Sequence, residues 1–102
     1  MKEFKELEEI LRILKEHKDK LFNKYKVNEI GLFGSYGRGE DREKSDVDIL
    51  VEFEPDAKIS LLDFIEIEIY LSELLGKRVD LVEKSGLKPR IGKHILQEVI
   101  YL

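Results

Sequence analysis

The sequence predicts an α/β fold of the α+β type, a small mixed β-sheet with helices packed on it. Apolar residues recur every three or four positions over residues 2–25 and again over 60–75, which is typical of helices. Short runs rich in β-branched and apolar residues over 27–33, 47–53 and 77–82 predict three strands. Because helices and strands alternate along the chain, we expect the strands to form one sheet that the helices cover.

Length and composition limit the possible function classes. A chain of 102 residues suits one domain, which we assign to 1–102, so a large substrate must be held partly by a partner or by a second copy of the chain. The net charge of −4 argues against direct nucleic-acid binding, since general nucleic-acid binders usually carry a basic face. No apolar run approaches the roughly 20 residues that span a membrane, and no signal-peptide apolar region opens the chain. The absence of cysteine excludes thiolate chemistry. We therefore expect a cytoplasmic protein.

The first half of the chain predicts a helix, a strand, a glycine-rich turn and a second strand. The helix over 2–25 places its apolar residues on one face, with charged residues between them. The strand over 27–33 leads into the turn at 34–39, and a charged loop connects it to the strand over 47–53. The apolar positions of the helix are Phe4, Leu7, Leu11, Leu14, Leu21 and Tyr25.

The second half begins with a helix whose two ends can be read from the sequence. Ser60 followed by Asp63 resembles a capping box, and Gly76 supplies a C-terminal stop, so the helix runs to Leu75. A third strand is predicted over 77–82, a turn over 87–89 and a short helix over 90–98. The apolar ending, 99–102, should dock on the body of the protein.

The helix over 60–75 is apolar on more than one side, whereas a surface helix needs only one apolar face. Two interpretations remain open at this point. The helix is sandwiched within the fold, or its second face meets a partner protein, either a different protein or a second copy of this chain. One face carries Leu61, Leu62, Ile65 and Ile69, and Ile67, Tyr70 and Leu74 lie roughly opposite.

Three carboxylates form the candidate catalytic and metal-binding group. Asp46 and Asp48 are two positions apart at a predicted strand, so their side chains point to the same face. Like charges side by side destabilise a sheet, which a cation between them would offset. Asp80 lies on another strand and joins them if the strands are neighbours. Hard oxygen ligands without cysteine or a nearby histidine suit Mg²⁺ or Mn²⁺. Such a group around two divalent ions is typical of in-line displacement at phosphorus.

The glycine-rich turn supplies the complementary half of a phosphate site. Gly34 allows the backbone to approach a phosphate closely. Ser35 offers a hydroxyl, and the backbone N–H groups after it can form an anion-binding nest or a helix N-terminus. Arg38 can hydrogen-bond phosphate oxygens and offset their charge. Each feature alone is usually structural, but the turn, the arginine and the paired acids occur within one short window.

The segments 34–39 and 45–48, which read G-S-x-x-R-G and S-D-x-D, resemble the signature of the DNA polymerase beta-like nucleotidyltransferases. The small size and the third acid in V-D-L-V at 79–82 resemble the minimal nucleotidyltransferases of that superfamily, and the likeness covers nearly the whole chain. The resemblance implies a small mixed sheet with helices packed on it, with ATP as substrate and Mg²⁺, two ions, as cofactor. It implies Asp46, Asp48 and Asp80 as catalytic and metal-binding residues, and Gly34, Ser35, Arg38 and Ser45 as nucleotide-binding residues.

Many minimal nucleotidyltransferases are encoded beside a HEPN-domain toxin and act as its antitoxin, and in studied examples they silence it by transferring AMP to one of its tyrosines. The resemblance therefore implies a protein adenylyltransferase that acts as an antitoxin. A different class of function is a non-catalytic antitoxin that binds nucleotide and neutralises its partner by direct contact. A third is a transferase acting on a small molecule or an RNA end, against which the acidic net charge and the lack of a second domain argue.

Overall fold

A computed structural model describes residues 2–34 and 46–102 of the chain, with side chains described from residue 7 onward, except at position 91. These ranges contain three α-helices and four β-strands. In chain order they are α1 (Lys2–Tyr25), β1 (Val27–Phe33), β2 (Val47–Phe53), α2 (Leu61–Leu75), β3 (Val79–Glu83), a 3₁₀ turn (Lys84–Gly86), α3 (Pro89–Glu98) and β4 (Ile100–Tyr101).

The four strands form one mixed sheet in the order β3-β2-β1-β4. β1 pairs antiparallel with both β2 and β4, whereas β2 and β3 are parallel. A parallel pair needs a crossover connection, and α2 provides it here. The predicted fold class, a small mixed sheet covered by helices, is therefore confirmed.

α1 packs its apolar face against the sheet. Leu14 and Leu21 are fully buried, and Tyr25 belongs to the same core cluster. Burial in this cluster raises the pKa of the Tyr25 hydroxyl. Ile10 is also buried, although it was not among the apolar positions predicted for this helix. No helix within 2–34 and 46–102 has the length and apolar character to cross a membrane.

α2 begins and ends where the sequence predicts. The Asp63 amide donates to the Ser60 hydroxyl at 3.1 Å, and the Ser60 amide donates to the Asp63 carboxylate at 3.0 Å, which completes the capping box. Gly76 ends the helix in the left-handed conformation, with φ of 65°, and its N–H donates to the Ser72 carbonyl. Both predicted helix signals are confirmed.

Three boundaries differ from the prediction: both ends of β3, which ends at Glu83 rather than at residue 82, and the start of α3. β3 begins at Val79 rather than at residue 77, because the Lys77 amide still donates to the Ser72 carbonyl of α2, at 3.3 Å. α3 begins at Pro89 rather than at residue 90, since a proline at the first helical position loses no hydrogen bond. The ending docks as predicted, but as a short strand, with the Leu102 amide donating to the Ile30 carbonyl at 3.1 Å.

Candidate functional site

Asp48 and Asp80 are partners in the parallel ladder between β2 and β3. Neighbouring strands lie about 4.8 Å apart, and partner positions project to the same face of the sheet. The two carboxylates therefore extend side by side, Asp48 half-buried and Asp80 exposed. Like charges in such a pair are destabilising. Carboxylate oxygens are also the donors that Mg²⁺ prefers.

Asp46 lies immediately before β2, at the same end of the sheet. The Val47 amide donates to the Arg78 carbonyl at 2.9 Å, which holds the start of β2 against the start of β3. Asp46 and Asp80 line a common cavity. Within residues 2–34 and 46–102, however, no three His, Cys, Asp or Glu side chains are close enough together to hold a metal ion. The three predicted acids are thus neighbours at one end of the sheet, and their role as metal ligands stays a prediction.

Gly34 follows β1 directly, next to Phe33, which pairs with Asp48 across β1 and β2. Its φ of +73° lies in the left-handed region, which favours glycine. A Cβ at this position would lie 2.9 Å from Cγ of Asp48 and 3.1 Å from its Cβ, and closer still to Oδ2. The absence of a side chain at Gly34 therefore makes room for the Asp48 carboxylate itself, which occupies the space that a Cβ would need. The carboxylate oxygens of Asp48 and Asp80 are the kind of donor that suits a divalent cation.

Three of the predicted nucleotide-binding residues lie in the segment 35–45, outside the described residues. They are Ser35, Arg38 and Ser45.

The cavity beside the acids lies between the end of α2 and the start of β3. Its volume of about 690 Å³ is in the range of ligand pockets. Asp46 and Asp80 contribute acidic groups to its wall, and Lys77 and Arg78 contribute basic ones. Neither basic residue was among the predicted site residues. The signal was present at Arg78, which precedes Asp80 by two positions, the spacing that places side chains on one face of an extended segment.

Two polar side chains of α2 fix the outer edge of β3. The Ser72 hydroxyl accepts from the Val79 amide at 3.1 Å, and the Glu68 carboxylate accepts from the Leu81 amide at 3.0 Å. These amides flank Asp80 and point away from β2, on the side of β3 where no other strand of residues 2–34 and 46–102 pairs with them. Glu68 and Ser72 were also missed. Their spacing of four residues places them on one helix face, but only the position of α2 along the strand reveals what they bind.

Residues 7–102 match the model of the nucleotidyltransferase domain family. The chain belongs to this family and is an enzyme, a nucleotidyltransferase. It is 59% identical over 96 residues to the protein adenylyltransferase MntA of Thermococcus cleftensis, an alignment that covers 94% of this chain and 95% of the relative. The resemblance to nucleotidyltransferases is therefore confirmed.

Solved structures agree with this assignment. A structure described as a minimal nucleotidyltransferase shares 41% identity and a TM-score of 0.76, covering 92% of this chain and 94% of its own. The MntA–HpeT toxin–antitoxin complex, solved as a Y104A mutant, contains a chain that is 25% identical to this one, with a TM-score of 0.65. The match covers 93% of this chain and 69% of the other. A Shewanella oneidensis complex of a tri-AMPylated HEPN toxin with an MNT antitoxin matches at 21% identity and a TM-score of 0.60. The match covers 97% of this chain and 70% of the other, and at this identity it shows the fold alone.

Proposed function

We propose that this nucleotidyltransferase transfers AMP from Mg-ATP to a hydroxyl group of another protein, a tyrosine of a cognate HEPN toxin, and thereby acts as an antitoxin. The observation that carries the proposal is the side-by-side placement of Asp48 and Asp80 next to the side-chain-free position Gly34. The relative that is 59% identical is named a protein adenylyltransferase, which supports AMP as the transferred group. The toxin–antitoxin complexes with the same fold support a toxin as the acceptor.

In this proposal Asp46, Asp48 and Asp80 hold Mg²⁺, two ions in the usual arrangement for such chemistry. Bound Mg²⁺ would offset the charge of the triphosphate and lower the pKa of the attacking hydroxyl. The chain's own contribution starts with Gly34, whose lack of a side chain lets the Asp48 carboxylate lie against the end of β1, and whose backbone we assign to approach the phosphates. Lys77 and Arg78 place positive charge in the same cavity. Ser35, Arg38 and Ser45 complete the nucleotide-binding set.

The transfer itself exchanges one phosphorus–oxygen bond for another. The oxygen of the acceptor hydroxyl bonds to the α-phosphorus of ATP, and the bond from that phosphorus to the bridging oxygen of pyrophosphate breaks. We assign Asp80 to receive the hydroxyl proton, because its carboxylate is exposed and lines the cavity that the acceptor must enter. The products are an AMP ester of the toxin and pyrophosphate.

A second candidate function is neutralisation by contact alone, with nucleotide as a structural ligand. It is favoured by the exposed apolar face of α2, where Leu61 and Leu62 are 74% and 78% exposed. Such a face can bind a partner without any chemistry at the carboxylates. This candidate predicts that an inactive variant still silences the toxin.

The test is an AMP-transfer assay with the purified chain, Mg-ATP and the HEPN toxin encoded by the same genome. Mass spectrometry of the toxin should show the added AMP with the wild-type chain and none with Asp46→Asn/Asp48→Asn. Asp56→Asn is a matched control, because Asp56 is an exposed acid that pairs with Lys26, at 2.9 Å, outside the candidate site. It should transfer AMP at the wild-type rate.

Toxin activity measured in parallel separates the two candidates. If the double variant loses AMP transfer and no longer silences the toxin, catalysis is the mechanism. If it silences the toxin as well as the wild type does, contact is sufficient and the enzymatic account of neutralisation is wrong.

A further inference from the structure

The outer face of α2 carries an apolar stripe formed by Leu61, Leu62, Ile65 and Ile69. At 100° per residue these four side chains fall within an arc of about 100°, opposite the face that buries Ile67. They are 74%, 78%, 41% and 53% exposed. The alternative in which this helix is sandwiched within the fold is therefore wrong for these residues. An exposed patch of this kind in a chain with 39% charged residues is typical of an interaction surface.

α2 itself adds only acidic charge around this apolar stripe, since it contains four acidic residues and no basic one. Glu66 and Glu73 lie along one side of the stripe, and Glu68 along the other, by the same helical geometry. Glu66 lies 3.6 Å from Lys24 of α1 and Glu68 accepts from the Leu81 amide, so only part of this acidic charge is available to a partner. A partner that fits this face therefore has an apolar centre, with basic residues where it meets the acids of α2.

The stripe is continuous with the candidate site. Ile69 lines the cavity that also contains Asp46 and Asp80. From Ile69 the helix extends back by two turns to Leu61, at about 1.5 Å per residue, which gives a surface roughly 12 Å long leading to the acids. A protein bound along this surface would bring its own side chains to the mouth of the cavity.

We propose that the apolar stripe of α2 is the docking surface for the acceptor protein, and that the acceptor covers it with an apolar patch rimmed by Lys and Arg. The proposal rests on the proposed function for the identity of the acceptor. In this proposal the stripe determines KM for the toxin, and the carboxylates carry out the reaction at phosphorus. Docking there places the acceptor hydroxyl beside Asp80.

A second copy of this chain fits the surface less well. In a symmetric pair the same patch meets itself, so the acids of α2 would face the acids of the other α2 without basic residues from either helix. Like charges across an interface are unfavourable. The segment 35–45 has only one large apolar residue, Tyr36, so its composition does not suit it to cover four aliphatic side chains.

The experiment measures AMP transfer against toxin concentration for Leu62→Arg and for Leu96→Arg. Leu62 is 78% exposed, so arginine there leaves the core intact but places a positive charge where a basic rim should dock. Leu96 on α3, 40% exposed, is the matched control for an added arginine at an exposed apolar site. We expect Leu62→Arg to raise KM for the toxin at least tenfold, equivalent to about 1.4 kcal/mol, with kcat and ATP affinity unchanged. Leu96→Arg should behave as the wild type.

Calorimetric titration of the toxin without ATP and light scattering of the chain alone complete the test. The inference is wrong if KM and toxin affinity of Leu62→Arg stay within twofold of wild type, or if Leu96→Arg weakens both equally. It is also wrong if the wild type is a dimer that Leu62→Arg dissociates, since the stripe then belongs to a second copy. A wild-type chain that binds the toxin but transfers no AMP contradicts the proposed enzymatic function while leaving the docking surface standing. A wild-type chain that neither binds nor modifies the toxin contradicts both the proposed function and the docking surface.

Discussion

The backbone of Gly34 lies against the side chain of Asp48, so closely that a Cβ on the glycine would come within 2.9 Å of the aspartate Cγ. The contact joins the end of β1 to the acid on β2, next to the register pair of Phe33 and Asp48. Gly34 and Asp48 are therefore packed as one unit, in which the missing side chain of the glycine makes room for the aspartate carboxylate.

Substitution of Gly34 by alanine should lower both stability and nucleotide affinity. The positive φ alone costs about 1–2 kcal/mol for a residue with a Cβ, and the new methyl group also displaces the Asp48 carboxylate. Gly76→Ala is the matched control for backbone strain, because Gly76, which also lines the cavity beside the acids, has φ of 65° and no atom within 4 Å of its added Cβ.

Thermal unfolding and calorimetric ATP titration with Mg²⁺ measure these effects. Gly76→Ala should lose stability and keep ATP affinity, whereas Gly34→Ala should lose both, with Kd raised tenfold or more. Equal ATP affinities in the two variants would show that the close packing of Gly34 against Asp48 has no part in nucleotide binding.

Asp80→Asn should make the metal-free protein more stable and the enzyme inactive. The substitution removes one of two like charges at partner positions of parallel strands, a change worth about 0.2–1 kcal/mol in a sheet. It also removes the proposed proton acceptor and a proposed metal ligand. Urea unfolding in EDTA measures the gain, and AMP transfer in Mg²⁺ measures the loss.

The control for this variant is Asp19→Asn, which neutralises an exposed acid on α1. It should change neither quantity by a comparable amount. A less stable Asp80→Asn protein would mean that the carboxylate makes a favourable interaction in the folded chain, and the account of Asp48 and Asp80 as a repulsive pair would be wrong.

Local sequence signals predicted most of the fold, because the features that define each element lie within a few residues of it. The capping box at Ser60 and the stop at Gly76 gave α2 its correct ends, and alternation and turn residues gave β1 and β2 theirs. The start of β3 was misplaced since Lys77 still satisfies a carbonyl of α2. β4 was missed because a two-residue strand has no periodicity and is defined by its pairing with β1.

The candidate site was predicted as far as its residues share a short window or a strand register. The sequence predicts that Asp80 joins Asp48 only if their two strands are neighbours. β2 and β3 are neighbours in the sheet, so the two residues do come together. Lys77 and Arg78 in the cavity wall and the anchors Glu68 and Ser72 depend on where α2 lies against the edge of β3. That placement results from packing of the whole core, which no local pattern encodes.

Ser72→Ala should loosen the strand that carries Asp80. It removes the acceptor for the Val79 amide at the edge of the sheet, where an unpaired, partly buried N–H costs about 1 kcal/mol. We expect a loss of stability of that size, faster hydrogen exchange at Val79 and weaker Mg-dependent ATP binding, because Asp80 follows Val79 directly.

Glu68 allows a chemically graded version of the same test. Glu68→Gln keeps an oxygen that can accept from the Leu81 amide, whereas Glu68→Ala does not. ATP affinity should survive in the first variant and fall in the second. Ser85→Ala is the control, since Ser85 donates to Glu83 on an exposed part of the turn after β3. If ATP affinity falls equally in Glu68→Gln and Glu68→Ala, the charge of Glu68 is what matters, and its hydrogen bond to the Leu81 amide is not.

Lys84 should contribute to stability in a pH-dependent way. Its Nζ lies 5.4 Å from the centre of the Tyr101 ring on β4, and 3.4 Å and 3.7 Å from carboxylate oxygens of Glu52 and Glu29. Interaction with Tyr101 raises the Lys84 pKa most, with Glu52 and Glu29 adding to it. Because the pKa is higher in the folded chain, the contribution is fully present below the ordinary lysine pKa of about 10.4 and is lost as the pH rises through the folded value.

Urea unfolding of Lys84→Gln at several pH values measures this contribution. The variant should be less stable than wild type by up to about 1 kcal/mol at pH 7, the range for ion pairs near the surface. The difference should shrink at the alkaline end, once Lys84 loses its proton in the folded wild type. Lys88→Gln, at an exposed position before α3, is the matched control and should show no such convergence. A difference that persists unchanged at high pH would assign the effect to packing of the lysine stem on Tyr101 instead of its charge.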